Sequence, residues 1–81
     1  MSEFEKAYKS YQLLAAADRE AVNNLVLQLP PNRTATPITD IPRELERAID
    51  LCESLGFVWA GGGQRASLTL AGTSLRAKLE E

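Results

Sequence analysis

Apolar residues recur at three- and four-residue steps through the first third of the chain. Phe4, Ala7, Tyr8, Tyr11, Leu14 and Ala15 form one stripe; Ala21, Val22, Leu25, Val26 and Leu29 form a second. That spacing puts each set on one side of an α-helix. Between them Asp18 is placed to cap a new helix, and Glu20 suits that helix's positive end. The pattern predicts two successive helices, or one helix kinked near Asp18. Pro30-Pro31 stops the run, because proline lacks the amide hydrogen of the helical ladder and biases its predecessor towards extended geometry.

Residues 32–39 are polar and interrupted by Pro37, which reads as a loop with at most one short turn or strand. Thr39 or Asp40 is positioned to cap a following helix, with Pro42 tolerated in its first turn. That helix, predicted over residues 42–55, presents Leu45, Ala48, Ile49, Cys52 and Leu55 on one side. Gly56 suits its left-handed terminus. Beyond Gly56 the pattern changes. Phe57-Val58-Trp59-Ala60 and Ala66-Ser67-Leu68-Thr69-Leu70 are rich in strand formers, and Gly61-Gly62-Gly63 between them suits a hairpin tip. Thr69 is placed to end the second strand and cap a last helix, whose apolar side is Leu70, Ala71, Leu75 and Leu79. The expected fold is mainly α with a small β-hairpin.

Eighty-one residues fit one domain. Apolar content of 44% and charged content of 25% are ordinary globular values. One cysteine excludes an internal disulfide and suits a reducing compartment. The opening Met1–Ser10 stretch lacks the basic and apolar regions of a secretion signal, and no apolar run reaches the roughly 20 residues that span a bilayer. The expectation is a cytoplasmic protein with no membrane contact. Net charge is −2, so the strongly basic balance of many nucleic-acid binders is missing.

Two short steps carry a family likeness. Leu55-Gly56-Phe57-Val58 closes a helix and turns the chain into the hairpin. Leu68-Thr69-Leu70-Ala71-Gly72-Thr73-Ser74-Leu75 ends the hairpin and caps the next helix. Over roughly residues 45–79 the chain resembles the C-terminal half of winged helix-turn-helix domains, with residues 18–29 as that domain's first helix. The resemblance implies a winged-helix-like three-helix core over residues 18–81, flanked by N-terminal and C-terminal helices. Residues 1–17 would then be a terminal helix that packs on a second subunit as a homodimer, or on its own domain. It also implies a small transcriptional regulator that binds double-stranded DNA, with helix 42–55 in the major groove and the 57–70 wing on the backbone. The sequence departs from the family pattern where a second helix should stand, since residues 30–40 hold three prolines and no helical period.

The candidate DNA contacts are Arg33, Arg43, Arg47, Gln64 and Arg65. Arg43 and Arg47, four apart, share a helix face. Against them, residues 40–53 carry Asp40, Glu44, Glu46, Asp50 and Glu53 with only those two arginines. Phosphate neutralisation supplies most non-specific affinity, so an acidic helix gains little in the groove. The other reading of that helix is a solvated surface with Arg43–Glu46 and Arg47–Asp50 pairs. This supports a rival function, a protein-interaction module on the same scaffold. It would use the acidic third helix and the Phe57–Trp59 edge, with Tyr8, Tyr11, Val58 and Trp59 as candidate contacts; successive strand residues point to opposite sides, so either Val58 or Trp59 should lie outward. Core packing is the competing role for both Phe57 and Trp59.

Catalysis finds no support. Without histidine, metal sites and histidine-based triads lose their usual member. Cys52 falls on an apolar helix side. The triple glycine is not followed by the Gly-Lys-Ser/Thr of a phosphate-binding loop. No enzyme, metal or cofactor is expected.

Overall fold

The computed structural model describes residues 3–30, 35–61 and 64–81. Arg33, Pro31 and the tip glycines Gly62 and Gly63 lie outside them. Among the described residues the chain runs through α1 (Glu3–Gln12), α2 (Ala16–Gln28), β1 (Thr36–Pro37), α3 (Glu46–Leu55), β2 (Val58–Gly61), β3 (Arg65–Leu68) and α4 (Leu70–Leu79). The architecture is mainly helical, with a small antiparallel sheet in the order β1-β3-β2.

The two N-terminal helices are separate, but the break falls earlier than Asp18. Leu13 and Leu14 donate tight bonds back to the carbonyls of Ser10 and Tyr11, and Ala15 is extended. Asp18 therefore lies in the first turn of α2 and does not cap it. There its charge still suits the helix's positive end. Helix α1 packs on its own chain. Ala7 and Tyr11 are buried, the Tyr11 ring meets Phe57 edge-on at 6.1 Å, and its hydroxyl donates to Asn23 Oδ1 at 2.6 Å.

The predicted 42–55 helix is shorter than its apolar pattern. Arg43–Leu45 forms a 3-10 turn, and the α-helix proper begins at Glu46. Thr39 and Asp40 cap nothing; Asp40 ends another 3-10 turn, Ile38–Asp40. The segment before α3 is thus two single turns separated by Ile41-Pro42. Pro42 sits where its fixed φ suits entry to the second turn.

The expected two-stranded hairpin gains a third strand. Thr36 pairs with Ala66 and Pro37 with Arg65, and the Ile38 amide donates to the Gln64 carbonyl at 2.9 Å. Proline lacks a ladder donor, which is tolerable because β1 is an edge strand.

One junction ties these elements together. Gly56 takes φ 90°, and its amide and that of Phe57 close the end of α3 on Glu53 and Cys52. The Thr69 amide donates to the Phe57 carbonyl at 3.0 Å, and the Thr69 hydroxyl donates to the Gly56 carbonyl at 2.6 Å. The same hydroxyl accepts from the Gly72 amide at 3.0 Å, capping α4. Gly72 packs so closely on the Phe57 carbonyl that a Cβ there would collide with it. The two short sequence steps around the hairpin are therefore halves of one lock.

The core collects Val22, Leu25 and Val26 from α2 with Leu29 at its C-terminal cap, Ala48, Ile49 and Cys52 from α3, Phe57, Val58, Ala66 and Leu68 from the sheet region, and Leu75 from α4. Leu70 departs from its expected apolar role and is exposed. Arg76 of α4 takes a position no helical pattern announces. Its Nη1 lies 2.6 to 3.2 Å from the carbonyls of Val26, Leu27 and Leu29, and its Nε pairs with Glu80 at 3.0 Å. It satisfies the orphan acceptors that Pro30 leaves at the end of α2.

Candidate functional site

Strand alternation sorts the sheet into two faces. Val58, Ala60, Ala66 and Leu68 face inward; Val58 and Leu68 are essentially sealed. Trp59, Gly61 and Arg65 face the other way, joined by Pro37 through its pairing with Arg65; Ser67 alternates with them but is buried. Trp59 is 59% exposed. Its ring lies along the strand over Gly61, so closely that a Cβ on Gly61 would strike Cη2 and Cζ3 of the indole. Glycine at 61 is what lets the ring lie flat. Arg65, directly across from Gly61, is exposed, as are Gln64 and Pro37. Among the described residues this outer face carries no carboxylate.

The inner side of the sheet's β2 edge meets α3 in an open cleft of about 360 Å³, lined by Ile38, Ile49, Ala60, Glu46 and Asp50. The apolar floor and the two carboxylates come from three separate elements. Sequence reading named Glu46 and Asp50 only as members of the acidic third helix that an interaction module would use, and it named Ile38 and Ala60 for no site. Ile38 and Ala60 become neighbours of α3 only through sheet pairing.

On α3 itself, burial of Ala48, Ile49 and Cys52 turns Arg47, Asp50 and Ser54 outward. Arg43 is exposed on the preceding turn. The expected Arg43–Glu46 and Arg47–Asp50 pairs do not form, and among the described residues Arg43, Arg47 and Arg65 engage in no ion pair. Between Arg33 and Arg65 the sequence still sets five carboxylates against four arginines.

The remaining candidate surface residues divide. Val58 and Tyr11 are buried and offer no surface. Tyr8 is half-buried, held between Phe4 and Tyr11 at centroid distances of 5.4 and 5.5 Å, with the Lys78 ammonium 5.4 Å above its ring. Of the four, Trp59 alone is exposed. Cys52 is fully enclosed, and burial pushes its thiol up to about 12, so it is no nucleophile at neutral pH. Among the described residues no group of histidine, cysteine or carboxylate side chains could hold a metal ion, and no helix is long and apolar enough to cross a membrane.

No protein-family model, curated protein or solved structure matches this chain.

Proposed function

We propose that this chain is a protein-docking module on a winged-helix-like scaffold, with the outer sheet face as its contact surface. The observation that carries the reading is Trp59, held flat and exposed over Gly61 beside Arg65. Tryptophan and arginine are the residues most enriched at the energetic centres of interfaces. A ring already fixed by its strand loses little conformational freedom on binding, which favours affinity. The scaffold reading is supported by the strand order β1-β3-β2, by β1 preceding α3, and by the lock between Gly56, Thr69 and Gly72. The two 3-10 turns before α3 stand where the family pattern has its second helix.

The test is a photoreactive phenylalanine analogue substituted for Gln64 and irradiated in extract. A discrete protein adduct that disappears with Trp59→Ala is the expected outcome. An adduct indifferent to Trp59, or none, overturns the reading.

A second reading is duplex DNA contact, favoured by Arg43, Arg47 and Arg65 standing exposed with no ion pair. If those three neutralise phosphates, log K should fall with log salt at a slope of about −3, since each contact contributes about −0.9. Titrating a labelled non-specific duplex at low and high salt, with Arg43→Ala and Arg65→Ala as controls, decides it. Absence of binding at low salt eliminates this reading.

A further inference from the structure

The chemistry that would receive the Trp59 face can be read from the face itself. Its exposed groups are an indole, a guanidinium and a proline ring, with no carboxylate among the described residues. A complementary surface needs an apolar recess for the indole, bordered by negative charge for Arg65. The cleft between α3 and the sheet has that composition: Ile38, Ile49 and Ala60 form its apolar lining, and Glu46 and Asp50 border it. Both carboxylates are exposed, and neither is neutralised by the arginine one helical step away.

We infer that the occupant of the Trp59 face is a second copy of this chain, whose α3–sheet cleft takes the indole while its Glu46 and Asp50 meet Arg65. This rests on the docking reading above and names its partner.

Geometry then fixes the symmetry. Trp59 and Ala60 are successive residues of β2, so knob and cleft lie on opposite sides of one thin sheet. A single neighbour cannot grip both sides at once. The contact is therefore heterologous: each copy offers its knob to one neighbour and its cleft to another. Such an interface generates a ring or an open chain and not a two-fold dimer. The homodimer through the N-terminal helix that the family likeness implies would use α1, and is a different contact.

The experiment is sedimentation equilibrium of the purified chain over micromolar to millimolar concentrations. Wild type should show a weight-average mass that rises with concentration beyond that of two copies. Trp59→Ala disables the knob and Asp50→Arg disables the cleft. Each alone should stay monomeric over the range where wild type associates, an association weakened about tenfold or more. Mixed one to one, an intact knob meets an intact cleft once, and growth should stop at two copies. Because both side chains are exposed, circular dichroism should show wild-type folding in each variant. The double variant Arg65→Glu/Asp50→Arg, which restores opposite charges across the contact, should regain self-association.

Monomeric wild type throughout overturns the self-association. The docking reading survives that result only if the Gln64 cross-link still depends on Trp59, in which case the partner is a different protein. Association unaffected by Trp59→Ala, or a mixture that grows past two copies, also overturns the inference. So does a wild type that stops at a dimer insensitive to Asp50→Arg.

Discussion

The turn from α3 through the hairpin into α4 and the connector from α2 to α3 are of similar importance to the topology, yet they are built in opposite ways. At the first, Gly56, Phe57, Thr69 and Gly72 interlock through main-chain and hydroxyl bonds of 2.6 to 3.0 Å, with no room for even one added methyl at Gly72. At the second, two single 3-10 turns and a two-residue edge strand are held by a few long-range bonds, and Pro37, Thr39, Asp40, Pro42, Arg43 and Glu44 are all exposed. One region specifies its shape by local chemistry. The other takes its shape from what it is laid against.

That contrast can be broken by substitution, starting with the largest effect. Gly72→Ala forces a Cβ into the Phe57 carbonyl, which is main chain and cannot step aside; we expect a loss of about 3 kcal/mol in urea unfolding, at the upper end for an overpacked site. Arg76→Met keeps the aliphatic stem but strips the carbonyls of Val26, Leu27 and Leu29 of their charged donor. It should cost about 2 kcal/mol by the same measurement, the range for a hydrogen bond to a charged group. Thr69→Ala removes the α4 cap and the tie to Gly56 and should cost about 1–2 kcal/mol. Thr39→Ala in the connector, predicted from sequence to cap a helix and found capping nothing, should change stability by less than about 0.5 kcal/mol. A connector substitution as damaging as Gly72→Ala would show that the contrast is misdrawn.

Alkaline pH sharpens the picture from inside the core. The Cys52 thiol is raised from 9.0 to about 12 by burial, so the native state keeps a proton that the unfolded state releases. Stability from this group is fully present below pH 9 and is lost progressively as pH rises from 9 towards 12. At one unit above the unfolded value the loss should be about 1.4 kcal/mol, seen as a lower urea midpoint that Cys52→Ala does not share. At pH 8 a thiol reagent should label Cys52 only as fast as the core opens.

Much of the fold was legible in the sequence, and where it was not the reason is the range of the interaction. The buried stripes of α2 and α3, the left-handed Gly56 and the Thr69 cap all depend on residues within four positions of one another. The α1–α2 break moved from Asp18 to residues 13–15 because side-chain capping preference did not decide it; the packing of Tyr11 against Phe57 and Asn23 accompanies a chain that turns earlier. Alternation along β2 required either Val58 or Trp59 to point outward, but it could not say which. That choice followed from which side α3 covers.

By itself the sequence determined the helical stripes, the hairpin and the two glycine-bearing steps around it, since these follow from local backbone preference and periodicity. Only the tertiary structure decided that β1 joins the far edge of the hairpin, that Arg76 closes the end of a helix some fifty residues away in sequence, and that an apolar cleft opens between Ile38, Ile49 and Ala60. Each of those brings together groups distant along the chain, and the energy that selects them appears only when burial of a shared core fixes the elements against one another.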